Sequence, residues 1–164
     1  MRSILKVNWD SNLPIYAISQ SELQKKGIHS LLLDVDGTLV NRKSNMIPKA
    51  VKNWIIESKK LFSLYLISNN PSKKRIQKLA KELNLRYKYN ASKPRKKETL
   101  FVIKEIGIDT ENIAIIGDRI FTDIIVGNRC NIKTILVKRL NKDGLPIKFN
   151  LTLTIEKLIS RFLK

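Results

Sequence analysis

The sequence predicts an α/β fold: a parallel sheet with helices packed on both faces. Three observations predict it. Short apolar runs alternate with segments of helical period along most of the 164 residues, the pattern of strand–helix–strand units. The run Leu31 to Leu33 shows no polar alternation, as expected of a strand buried on both faces. Asp34, Ser68, Lys93 and Asp118 each fall just after a predicted strand end, and open parallel sheets bind ligands beyond the carboxyl ends of their strands.

Residues 1 to 18 have mixed character and no clear period, so they are expected to wrap the domain edge. Ser19-Gln20-Ser21-Glu22 is a capping-box pattern with Ser19 as N-cap. A short helix follows and stops at Gly27. Leu31 to Leu33 is the first strand. Pro48 suits the first position of the next helix, whose inner face is Val51, Trp54, Ile55 and Leu61. Phe62 to Ile67 is the second strand, ending at Ser68-Asn69-Asn70. Pro71 again reads as a first helical residue, with Asn70 as N-cap. In that helix Ile76, Leu79, Ala80 and Leu83 form the apolar stripe, and Lys73, Lys74, Arg75, Lys78 and Lys81 a solvated basic face. A short strand at Tyr87 to Tyr89, a helix from Lys96 to Ile106 closed by Gly107, and a strand at Ile113 to Ile116 come next. A helix through Ile124 to Val126 and a strand at Ile132 to Val137 complete the alternation, and Gly144 and Pro146 mark a loop. A terminal amphipathic helix, 150–164, carries Leu151, Ile155, Leu158, Ile159, Phe162 and Leu163 on one side. With no internal repeat or linker, the chain reads as one domain, 1–164, in which 1–28 form a leader.

The balance of 32 Lys+Arg against 14 Asp+Glu, a net charge of +18, favours anionic partners: phospholipid headgroups, nucleic acid or phosphorylated substrates. Because the charge is spread along a chain rich throughout in Lys, Asn and Ile, it also fits a compositional bias. No apolar run approaches the roughly 18 residues of a membrane span. The N-terminus lacks the apolar core of a signal peptide. One cysteine, Cys130, excludes an intramolecular disulfide. The expected location is cytoplasmic, with peripheral contact at the inner face of a membrane.

Asp34-Val35-Asp36-Gly37-Thr38 organises the chain: a buried strand ends abruptly in two carboxylates one residue apart. Burying Asp34 there is costly unless something pairs with it, and a bound cation or a phosphate site explains the cost. Gly37 suggests a turn that folds Asp36 back over whatever Asp34 contacts.

Asp34-Val35-Asp36-Gly37-Thr38, then Ser68 after a strand, then Lys93-Pro94, then Gly117-Asp118-Arg119-Ile120-Phe121-Thr122-Asp123 resemble the four motifs of the haloacid-dehalogenase (HAD) superfamily of phosphatases, in order and at plausible spacing. More narrowly, the chain resembles the YqeG-like HAD phosphatases of class IIIA, which are related to phosphatidylglycerophosphate phosphatases. That likeness spans nearly the whole chain, including Lys26-Gly27-Ile28, Ser68-Asn69-Asn70 and Gly127-Asn128-Arg129; Gly37 stands where many close relatives have Asn.

The resemblance implies a HAD-like Rossmannoid three-layer sandwich, and it implies roles that the chemistry of phosphoryl transfer also asks for. Asp34 would attack phosphorus and form an aspartyl-phosphate. Asp36 would protonate the leaving oxygen and then assist water. Asp34, the backbone carbonyl of Asp36 and Asp118 would hold Mg²⁺, a hard cation that takes oxygen ligands. Ser68 and Lys93 would bind the phosphoryl oxygens, helped by Asn69 and backbone N–H groups near Gly37. Asp123 would be a further group of the metal's surroundings or would orient Lys93. His29 and Cys130 are read as a surface residue and a packing residue.

Neither gap that could house a cap domain holds one. Val40 to Ile47 is a loop of about eight residues, near ordinary connection length, and Asn70 to Ser92 is filled by one helix and one short strand. An open site suits a bulky substrate such as a lipid headgroup. The terminal helix either lies in a membrane interface or docks on the protein's own core. The alternatives are a phosphatase of soluble phosphomonoesters or nucleic-acid ends, and a basic RNA- or ribosome-binding protein with a vestigial site.

Overall fold

In a computed structural model, which describes residues 4–148 and 150–162, six parallel strands form one sheet in the order β1-β6-β5-β2-β3-β4. In chain order the elements are β1 (Trp9–Asp10), α1 (Gln20–Lys25), β2 (Ser30–Leu33), α2 (Lys49–Lys59), β3 (Ser63–Ile67), α3 (Lys73–Leu83) and β4 (Arg86–Lys88). They continue with α4 (Lys97–Ile106), β5 (Ile113–Gly117), a π turn (Ile120–Ile124), α5 (Ile125–Arg129), β6 (Lys133–Leu136) and α6 (Leu151–Phe162). The α/β architecture expected from the sequence, a parallel sheet alternating with helices, is present.

Alternation along β2 divides its leucines between two cores. Leu31 and Leu33 pack with Val51, Trp54 and Ile76 of α2 and α3 on one face. Leu32 packs with Val102 of α4, Val126 of α5 and Cys130 just beyond α5 on the other. The sheet is therefore the middle of three layers, which explains why its strands carry no polar alternation. Ser19 caps α1 by accepting from the Glu22 N–H (3.4 Å). Gly27, at φ +67°, ends it, with the Ile28 N–H returning to Leu23 O.

Several boundaries differ from expectation. Pro48 is the N-cap of α2 rather than its first residue. Leu61 lies beyond that helix and is exposed. Ser72, not Asn70, caps α3, its Oγ accepting from the Arg75 N–H (3.3 Å). Asn70 instead closes a turn through Oδ1 to the Ser72 N–H (2.9 Å), which leaves its amide free for the site. The leader contributes an edge strand, β1, paired with Ile135 and Leu136 of β6.

The terminal helix departs most from pattern. Leu151, Ile155, Leu158 and Ile159 are exposed. The helix docks through buried Glu156, which accepts from the Ile120 N–H (2.8 Å) and from Arg119 Nε (3.4 Å). Leu163 and Lys164 lie outside the described residues, as do the side chains of Arg161 and Phe162.

Candidate active site

Strand order reverses between β2 and β5, the neighbours from which the sheet grows outward in both directions, and Asp34 and Asp118 directly follow these two strands. The Asp34 N–H donates to Ile116 O (2.9 Å), which continues the β2–β5 register and holds the residue at the rim. Its carboxylate is buried: Oδ2 accepts from Thr38 Oγ1 (3.1 Å) and Oδ1 from Lys93 Nζ (2.7 Å). Between them the chain turns at Gly37, φ +100°, where a Cβ would lie 2.7 Å from Asp118 Oδ2 and 3.0 Å from Arg139 Nε. That backbone angle and that close approach both favour glycine in this chain.

Lys93 is buried and spends all three ammonium protons on the protein: on Asp34 Oδ1, on Asp123 Oδ1 (2.6 Å) and on Ile67 O (3.0 Å). Burial by itself depresses such an ammonium, but Asp123 and Asp34 reverse that effect and hold it above the ordinary lysine range. The Lys93 backbone is clamped by Asn69, whose Nδ2 donates to Lys93 O (2.8 Å) while its Oδ1 accepts from the Lys93 N–H (2.7 Å). The sequence assigned Asn69 to the phosphoryl group; here both ends of its amide are occupied in positioning Lys93. Gly37 likewise lines the cavity, yet its N–H donates to Val40 O (2.7 Å). Its place in the site rests on the space it leaves.

Asp118 is buried with Arg139 Nε on Oδ2, and its Oδ1 has no hydrogen-bond partner among the described residues. Burial, then the Asp34 and Asp123 charges, push its carboxyl up to about 7 against the pull of Arg139. Asp123 is pushed up to about 6, by burial first, with Lys93 opposing. Oxygens of Asp34, Asp118 and Asp123 lie within 4.8 Å of one another. Three carboxylates thus share two cations, Lys93 and Arg139, which leaves room for one more positive charge. Asp123 also accepts through Oδ2 from the Arg119 N–H (3.3 Å) and Thr122 Oγ1 (3.2 Å). It packs so closely on β5 that a Cβ at Gly117 would lie 2.3 Å from its Cγ.

Asp36 sits apart from this cluster, paired with Arg75 Nη1 (2.7 Å) and accepting from Asn70 Nδ2 (2.8 Å). Arg75 also donates through Nη2 to Ser44 O (2.8 Å) and through Nε to Asn45 Oδ1 (3.1 Å), tying Asp36 to the loop after β2. Read from sequence as part of a solvated face, Arg75 turns inward instead, because it heads α3 at the rim where an unpaired Asp36 would be half-buried. Ser68 is buried, and its Oγ accepts from the Asn70 N–H (3.1 Å), so its own proton remains for an incoming acceptor.

Asp34, Asp36, Ser68, Lys93, Asp118 and Asp123 all line one cavity of about 340 Å³ at the carboxyl edge of the sheet. The sequence reading missed Arg75, Asn70 and Arg139. Of these only Asn70 lay within a quoted motif, and the two arginines are ordinary basic residues until the fold brings them in. His29 is exposed. Cys130 is a core residue whose thiol burial pushes up to about 11.

A family model described as mitochondrial PGP phosphatase matches residues 2–139. The protein of Bacillus subtilis (strain 168) named "Probable phosphatase YqeG" is 28% identical over 138 residues, spanning 83% of this chain and 80% of that protein. Among solved structures, an uncharacterized protein of Listeria monocytogenes serotype 4b aligns with a TM-score of 0.57 at 19% identity, over 77% of this chain and 86% of that one. The Bacillus subtilis protein described as "putative HAD-hydrolase YfnB", bound to magnesium, aligns with a TM-score of 0.55 at 13% identity, over 84% of this chain and 99% of that one. At these identities the two structures speak for the fold.

Proposed function

The chain belongs to the family described as mitochondrial PGP phosphatase and is a phosphatase of the HAD type, and from that membership we infer that it removes the terminal phosphate of phosphatidylglycerophosphate, leaving phosphatidylglycerol. The observation that carries the reading is the convergence of Asp34, Asp36, Ser68, Lys93 and Asp118 on one cavity at the switch point of the sheet.

The residues fit a divalent cation: an oxygen-only cluster, one carboxylate in excess of its cationic partners, and a buried Asp118 Oδ1 with no partner. Asp34, Asp118 and the Asp36 carbonyl would hold Mg²⁺. Asp123, with both oxygens engaged, orients Lys93. Bound there, Mg²⁺ supplies charge neutralisation for the phosphoryl oxygens.

Asp34 Oδ attacks phosphorus as the bond to the glycerol oxygen breaks, and Asp36 delivers a proton to that oxygen. Lys93 gives up its bond to Asp34 Oδ1 for a phosphoryl oxygen, and the Ser68 hydroxyl donates to another. Asp36 then takes a proton from the water that attacks the aspartyl-phosphate, which frees Asp34 and releases phosphate. Arg75 and Asn70 hold Asp36 beside the leaving group. Because the substrate is a lipid, the working position is the surface of an anionic membrane; no helix among the described residues is long and apolar enough to cross one.

A phosphate-release screen tests the reading, with phosphatidylglycerophosphate, sugar phosphates, nucleotides and phosphorylated oligonucleotides, each with Mg²⁺ and with chelator. Preference for the lipid, abolished by chelator, is the expected result. Preference for a soluble phosphomonoester or an oligonucleotide end overturns the substrate, and turnover in excess chelator overturns the metal.

A further inference from the structure

Three segments that contribute to the lining of this cavity also carry large apolar side chains in open solvent: Met46 at 82% exposure, Leu145 at 58% and Leu151 at 60%. Each is close in sequence to residues that line the cavity: Met46 follows Asn41 and Arg42, Leu145 follows Leu140, and Leu151 precedes Thr152. The segments are tied down. Asn41 Nδ2 donates to Leu140 O (3.2 Å), joining the first loop to the second. Gly144 packs against Pro48, where a Cβ would lie 2.5 Å from the proline ring. Arg75 anchors the first loop through Ser44 and Asn45. The second is a tight turn in which Asn141 Oδ1 accepts from the Asp143 and Leu145 N–H groups (both 2.9 Å), with Leu145 held outward. Glu156, midway along α6, ties the helix to Arg119 and Ile120, the residues that follow Asp118. Local hydrogen bonding thus fixes the backbone of the two loops that expose Met46 and Leu145.

Cations surround them. In 41–46 and 141–148, Arg42, Lys43, Lys142 and Lys148 are exposed, against the single carboxylate of Asp143. We propose that Met46, Leu145 and Leu151 form a collar that inserts into the headgroup region of an anionic bilayer and seats the cavity mouth on the lipid surface, a proposal that rests on the lipid-substrate reading above. The pattern selects among partners. Protein interfaces want a contiguous apolar core depleted of charge, whereas Met46 and Leu145 stand singly among cations. Single-stranded nucleic acid wants aromatic platforms, and Met and Leu offer none. A bilayer surface wants small apolar insertions with basic side chains beside them. Seated this way, the enzyme reaches a phosphomonoester at headgroup height without lifting the lipid out.

The test uses the full chain and a Met46→Ser/Leu145→Ser/Leu151→Ser variant, with Ile56→Ser/Leu100→Ser, exposed apolar residues of α2 and α4, as the control. Sedimentation is measured with phosphatidylcholine vesicles with and without phosphatidylglycerol, at low and high salt, and alongside a single-stranded RNA. Hydrolysis of short-chain, dispersed phosphatidylglycerophosphate is measured separately. The wild type and the control bind the anionic vesicles, and salt weakens binding by about fivefold for each engaged cation. The triple variant loses at least about tenfold in binding, since three apolar side chains no longer leave water, while its hydrolysis of the dispersed substrate and its melting temperature stay unchanged. Vesicle binding equal in the triple variant and the wild type overturns the collar. So does absence of wild-type binding to every vesicle, and so does RNA binding that the triple variant alone loses. Failure to hydrolyse the dispersed lipid, with collar-dependent vesicle binding intact, overturns the substrate reading instead and leaves the docking surface standing.

Discussion

Lys93→Met should expose how much of this fold is held hostage to its site. Methionine keeps the length and apolar stem of lysine but removes the cation that bonds Asp34 at 2.7 Å and Asp123 at 2.6 Å. In the wild type three buried carboxylates face two cations; in the variant they face Arg139 alone. Removing one partner of a buried pair costs about 3–5 kcal/mol. For a chain of this size each kcal/mol moves the melting temperature by about 2–4 °C, so a fall of about 6–20 °C follows in chelator near neutral pH. The pH dependence gives the cause. Lys93 has a raised pKa, so its contribution is fully present below the ordinary lysine value of 10.5 and is constant across the acid and neutral range. Stranded carboxylates have native pKa values raised above the unfolded 3.8, as Asp118 already does at about 7. The native state then holds protons that the unfolded state has released, and stability falls as pH rises between those values. The deficit of the variant should therefore be largest above about pH 7 and shrink toward about pH 5. Mg²⁺ should recover part of it. Calorimetry in chelator at the two pH values is the assay. A melting temperature unchanged from wild type, or a deficit equal at both, refutes the charge argument and leaves Lys93→Met a packing change.

Asp34→Asn should abolish phosphate release with the fold retained, and Asp36→Asn should lose on the order of 10²–10⁴-fold; full activity in the first, with mass spectrometry excluding reversion to Asp, contradicts the nucleophile. In the metal-free wild type, stability should decline as pH rises from about 4 to about 7, as Asp118 and Asp123 lose protons that the native state binds more tightly. Asp118→Asn should flatten that decline and remove the thermal shift given by Mg²⁺, a shift that in the wild type grows with pH; an unaltered shift in the variant places the metal elsewhere. Gly37→Ala combines a positive φ with a Cβ 2.7 Å from Asp118 Oδ2. It should cost about 1–3 kcal/mol in denaturant midpoints and weaken Mg²⁺ binding, whereas an unmoved midpoint would show that the turn relaxes freely.

Some of this protein is written in short stretches of its sequence. A carboxylate at the end of an all-apolar strand is costly wherever it occurs, so Asp34 and Asp118 announce themselves locally, and the order of Ser68 and Lys93 after later strand ends completes the set. Periodicity likewise gives the buried stripe of α3, Ile76, Leu79, Ala80 and Leu83, because a helix's face depends only on spacing. Tertiary structure decided the rest, and for one reason: the partner of a polar group is chosen across the chain. Arg75 looks like its lysine neighbours until the rim brings Asp36 within 2.7 Å. Arg139 lies outside every motif and earns its place only because β6 runs beside β5. Asn69 and Asn70 are adjacent and alike, yet one clamps the Lys93 backbone and the other holds Asp36. The two-residue strand β1 is too short to carry a period. In α6 spacing identified an apolar face but not what it faces; buried Glu156, bonded to the Ile120 N–H, is what turns Leu151, Ile155 and Leu158 toward water.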